Sequence, residues 1–133
     1  MSASWALQQA VHAALATSGE VQDAVGERIF DHVPRDAAFP YVVVGDDAVR
    51  DAGTATEAGS EHLIAIQVWS RAKGLKECKA AAETVRLALD QAELDIGGYA
   101  LIGLRHTATD FAREPDGETL RASVTFRAVL EPN

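Results

Sequence analysis

The stretch His62-Leu63-Ile64-Ala65-Ile66-Gln67-Val68-Trp69-Ser70, continuing through Arg71-Ala72-Lys73-Gly74 into Leu75-Lys76-Glu77-Cys78, changes its apolar period part-way along. In the first half Ile64, Ile66 and Val68 recur at every second position. An extended backbone alternates its side chains between two faces, so these three share one side of a strand. From Leu75 onward the apolar residues are Leu75, Cys78, Ala82, Val85 and Leu89, steps of three and four that line one stripe of a helix. Lys76, Lys79, Glu83, Arg86 and Asp90 fall on the opposite stripe. A shift from period two to period 3.6 across a short break at Gly74 predicts a strand that feeds a helix lying back on its own sheet.

On the N-terminal side, Pro40 opens Tyr41-Val42-Val43-Val44-Gly45, a continuous β-branched run that predicts a central strand covered on both faces. Arg28 to His32 predicts a short strand closed by Pro34. Before it, Ser4 is placed to cap a helix reaching about Thr17, with Leu7, Val11, Ala14 and Leu15 inward and Gly19 at its end. Glu20 to Val25 adds one short turn.

On the C-terminal side, Leu94 to Gly98 makes a turn, and Tyr99 to Phe111 predicts a long strand. Simple alternation sets its Ile102, Leu104, His106 and Ala108 on one face. Glu114-Pro115-Asp116-Gly117 reads as a hairpin turn. Leu120 to Leu130 returns with Ala122, Val124, Phe126, Ala128 and Leu130 inward. These elements sum to an α+β class: a mostly antiparallel four- to five-stranded sheet with two helices packed on one face, in a single domain spanning residues 1–133.

One segment stands apart. Asp46 to Glu61 mixes Gly53, Thr54, Thr56, Gly59 and Ser60 with Asp47, Arg50, Asp51 and Glu57, and has little to bury. It predicts a long loop or an extended hairpin tip, the arm best placed to touch a partner.

Composition narrows the function classes. Twenty acidic residues against 12 basic give a formal charge of -8, which argues against a protein whose main work is gripping phosphate backbones. The single cysteine, Cys78, forms no internal disulfide and lies on the apolar helical stripe as a small buried hydrophobe. The start of the chain lacks the basic and apolar regions of a signal peptide, and no apolar run approaches the roughly 20 residues of a membrane span. The expected location is the cytoplasm until the protein joins an assembly.

No glycine-rich phosphate loop, CxxC, HExxH or GxSxG is present. His12, His32, His62 and His106 are spread over different elements, without the spacing of a metal site. Asp46 and Asp47 are adjacent on an extended backbone and so point apart. His106 and Asp110 share a nominal inward side, the one spacing that an enzyme or ligand pocket would use. Trp69 is read as core beneath a helix, with an interface aromatic as the alternative. No catalytic, cofactor-binding or metal residue is assigned.

The order of features resembles the tail terminator, or tail completion, proteins of long-tailed phages and gene transfer agents. The matching pieces are the N-terminal helix, "VGERIFDHVP" (25–34), "FPYVVVG" (39–45), the polar segment, "EHLIAIQVWSRAKGLKECKAAAETVRLALD" (61–90), "LIGLRHTATDFAREPDG" (101–117) and "LRASVTFRAVLE" (120–131). The resemblance implies a sheet with helices on one face, a ring of six subunits and a structural, non-enzymatic role. That role is to cap the tail tube and join it to the neck, with the tail tube protein and the neck (stopper) protein as partners. DNA then passes through the lumen without specific binding, no membrane is involved, and the protein moves from cytoplasmic assembly into the virion. The family's motif carries no individual binding residue onto this chain. The alternative is a small α+β adaptor or ligand-binding domain without a ring, or a small-molecule enzyme.

Overall fold

The computed structural model describes residues Met1–Asn133. Its elements are α1 (Ala3–Thr17), α2 (Gly19–Val25), β1 (Ile29–Phe30), β2 (Tyr41–Asp51), β3 (Ser60–Ser70), α3 (Lys76–Leu89), β4 (Tyr99–Arg113) and β5 (Leu120–Pro132). The five strands form one sheet in the order β1-β2-β3-β5-β4. Only the two-residue β1 pairs in parallel, with β2, and every other ladder is antiparallel. The α+β class holds, with a mixed sheet and three helices rather than two.

The third helix arises from Ser18. Its extended backbone ends α1, its N–H bonds the Leu15 carbonyl, and its hydroxyl accepts from the Val21 N–H to start α2. Ser2, not Ser4, caps α1 by accepting from the Trp5 N–H.

All three helices lie on one face. Leu7, Val11 and Leu15 of α1, Val21 and Val25 of α2, and Cys78, Val85 and Leu89 of α3 are buried with Ile64, Ile66 and Val68 of β3. β5 supplies Ala122, Val124, Phe126, Ala128 and Leu130, each fully buried. A fully buried aliphatic side chain contributes about 1.5–3 kcal/mol relative to exposure, so this one cluster holds the sheet to its helices. Leu75 stands just ahead of α3 and is exposed, so it drops out of the expected stripe.

β3, not β2, is the central strand. Val42 and Val44 are buried, but Tyr41 and Val43 are only half-buried because no layer covers the sheet's second face. β2 also runs further than its apolar run. Asp46 takes φ 49°, the register slips between Gly45 and Asp47, and pairing then resumes from Asp47↔Ile64 to Asp51↔Ser60. The polar segment is therefore an extended hairpin rather than a loop. Its tip, residues 52–59, is closed by Ala52 N–H to Gly59 O at 3.0 Å and Thr54 N–H to Glu57 O at 2.7 Å. Gly53 is required there, since a Cβ would meet the Glu57 carbonyl oxygen at 2.9 Å.

Two more irregularities re-aim β4. The register slips between Leu101 and Gly103 and again between His106 and Ala108, which leaves Ile102 and Thr107 unopposed. Each bulge moves the following residues to the other face. Hence Ile102 is 57% exposed while Leu104 is 4% exposed, and Ala108 leaves the inner face.

Candidate functional site

The four histidines do not converge. His62 is fully buried on the helix side, with Nε2 2.8 Å from the Ser60 hydroxyl and Nδ1 without a partner. Burial holds its imidazole below the ordinary value, and the Asp47 carboxylate opposes this with a smaller upward pull. His106 meets Thr109 Oγ1 at 2.7 Å and turns an edge to Phe126. Asp110 pairs with Ser123 on the opposite face, so the suspected His106 and Asp110 pair does not form. His12 and His32 do share a groove of about 440 Å³ between α1 and β1, with Trp5 and Asp31. Nowhere do three His, Cys, Asp or Glu side chains gather as a metal would need. Cys78 is buried, and burial with Glu77 beside it raises its thiol pKa, the opposite of an activated nucleophile.

What the fold presents instead is surface. The helix-free face of the sheet carries Glu61, Leu63, Ala65, Gln67 and Trp69 from β3, with Arg121, Ser123, Thr125 and Arg127 from β5. Three of its cations are partnered, Arg127 with Glu61, Arg50 with Glu61 at 3.8 Å and Arg121 with Glu114 at 3.1 Å, while exposed Arg105, across the ladder from Arg127, makes no ion pair. Trp69 sits here rather than beneath a helix, because the parity that buries Ile66 and Val68 turns it outward. It stacks on Tyr41 at 6.5 Å, and Tyr41 touches Phe39 at 4.9 Å. The Arg71 guanidinium lies 4.4 Å over the Phe39 ring, and that of Arg121 lies 5.9 Å from the Trp69 ring.

At the other end of β2 and β3 projects the hairpin arm. Asp46, Asp47, Asp51 and Glu57 make no ion pair there: Asp47 accepts from Ser4 Oγ at 2.7 Å, and Asp51 accepts from the Gly53 N–H. One end of the sheet is thus aromatic and arginine-bearing, and the other is acidic and projecting.

The family described as Tail completion protein gp17 matches residues 9–131. This chain belongs to that family. A tail completion protein is a structural component of a phage-type tail, so its working parts are surfaces of the kind just described. Among solved structures, the chain matches one in the virion of a native gene transfer agent particle, with a TM-score of 0.91 and 33% identity over 96% of each chain. A comparison with curated protein sequences returns no match. No helix of this family member is long and apolar enough to cross a membrane.

Sequence reasoning missed the aromatic and arginine cluster, since Phe39, Tyr41, Trp69, Arg71 and Arg121 come from three separated stretches that only the β2–β3–β5 register brings together. The usable signal was the position of Trp69 on the odd-numbered side of β3, opposite the apolar set.

Proposed function

We propose that this protein is a single-domain terminator subunit, residues 1–133, that closes a ring of six on the tail tube and joins the tube to the neck of a phage-like particle or gene transfer agent. The observation that carries the reading is the end-to-end correspondence with a chain of a gene transfer agent virion, 33% identical over 96% of each chain with a TM-score of 0.91. The physical character of the surface supports it. Three helices close one face of the sheet, and the other face and the arm remain available for head-to-tail contacts between equivalent copies. The tail tube protein and the neck (stopper) protein are the expected partners, with assembly in the cytoplasm and residence in the virion.

DNA passes through the lumen without specific binding. The net charge of -8 opposes adhesion of a polyanion, and Arg121 and Arg127 are already engaged by carboxylates. No catalytic residue, cofactor or metal enters this reading.

The test is imaging of particles that carry a tagged copy of the chain. Sixfold density at the head-proximal end of the tube, with the tag on it, is the expected result. A tag found free of the tail, or density without rotational symmetry, would favour the adaptor alternative.

A further inference from the structure

The two ends of the β2–β3 ladder differ in chemistry and complement each other. At one end Tyr41 pairs with Trp69, and at the other Asp51 pairs with Ser60, roughly 33 Å away at about 3.3 Å per residue. The first end opens into two adjoining depressions, of about 340 and 500 Å³, which share Phe39, Tyr41 and Arg71. Arg71 is exposed and in no ion pair. Its Nε donates to Thr119 Oγ1 at 3.0 Å and its plane rests on Phe39, which holds the guanidinium in place with its remaining N–H groups free. Exposed Arg35 lines the second depression.

Of the acids nearby, Glu114 pairs with Arg121, and Asp116 accepts from the N–H groups of Thr119 and Glu118 and from the Thr119 hydroxyl, with the Arg71 charge adding a smaller pull that also lowers its pKa. Asp36 lines the second depression and makes no ion pair. The site combines a Trp, a Tyr and a positioned Arg, the residue types enriched where interfaces concentrate their energy, and the Arg71 fork is bonded to no carboxylate.

We propose that these depressions receive the β2–β3 hairpin tip of a second copy of this chain, with Glu57 of the tip bound by Arg71. This deepens the ring reading and rests on it. The tip projects from the opposite end of the same two strands, carries the unpaired carboxylate of Glu57, and is narrow, being closed by two backbone hydrogen bonds. Because donor and acceptor are different surfaces of one subunit, the contact is head-to-tail and repeats from copy to copy until the ring closes.

Cysteine cross-linking of assembled tails tests this against a clean background, because the one native thiol, Cys78, is fully buried. The chain with both Thr56→Cys and Ala37→Cys should give, under mild oxidation, a reducible ladder ending at six chains. Each single substitution should give no ladder, since a head-to-tail contact never brings the same position together twice. Cross-links from Thr56→Cys alone would show a two-fold contact and overturn the proposal, as would linkage of the tip to the tube protein. A charge exchange reads the same contact independently: Arg71→Glu and Glu57→Arg should each lose tail capping, and the pair together should regain it. A wild-type chain that caps tails while the doubly substituted chain gives no ladder overturns this docking alone. A wild-type chain that neither forms rings nor caps tails overturns the docking and the ring reading together.

Discussion

Ile102 and Leu104 separate two readings of β4 that differ only in its bulges. Unbroken alternation turns both side chains into the core, whereas the structure leaves Ile102 57% exposed and Leu104 4% exposed. Truncating a buried leucine removes its transfer free energy and leaves a cavity, at a cost of about 2–5 kcal/mol. Leu104 also sits where the Gln91 N–H bonds its carbonyl at 2.8 Å, which ties the end of α3 to the sheet and limits collapse around the gap. Leu104→Ala should therefore cost about 3 kcal/mol, and Ile102→Ala within about half a kcal/mol. For 133 residues, a loss of that size corresponds to a fall in melting temperature of roughly 10 °C. Calorimetry and urea titration of the two variants beside wild type provide the comparison. Equal losses, or a larger loss for Ile102→Ala, would mean that β4 keeps straight alternation and that the bulge-shifted faces are wrong.

The helix α3 offers a second contrast. Val85→Asp places a carboxylate in the fully buried stripe and should cost several kcal/mol, about 3 or more, while Leu87→Asp, at a position 61% exposed, should shift the urea midpoint little. His62 makes stability pH-dependent: its folded-state pKa is lowered, so the unfolded chain binds the proton first. The His62 contribution is present above about pH 6.5 and is lost as pH falls from there toward the lowered folded-state value. His62→Gln should flatten that part of the pH–stability curve, and an unchanged slope would show that another group sets it. Replacing residues 52–59 by a two-residue turn should leave the melting curve near that of wild type, because loop length affects stability only logarithmically, yet should abolish capping of tails seen by electron microscopy. Normal capping with the shortened arm would place the subunit contact elsewhere.

The parts of the fold that sequence reasoning reached are those where one periodicity governs a whole element. β5 alternates without a break from Leu120 to Leu130, and every expected inward residue is buried. Cys78, Ala82, Val85 and Leu89 behave the same way on α3. What escaped depends on neighbours. For Asp46 to Glu61 the sequence leaves a long loop and an extended hairpin tip both open, because the second half of β2, Asp46 to Asp51, is mostly poor strand formers and is held extended by the partners β3 offers residue by residue. The bulge at Ile102 is marked only by Gly103 beside it and that at Thr107 by no residue type, and each reverses the faces that follow. Trp69 looked like core because large aromatics usually are, but its place opposite Ile66 and Val68 sends it to the uncovered face. The assembly surface was hidden for the same reason. Its two halves are assembled by strand register, and no short motif records either one.

The most direct test of the terminator role is the length distribution of tails from particles made without this chain, measured by electron microscopy beside particles in which it is restored. The account predicts tubes of unregulated length that lack heads, returning to uniform, head-joined tails when the wild-type chain is supplied. Uniform tails of normal length joined to heads in the absence of the chain would contradict it.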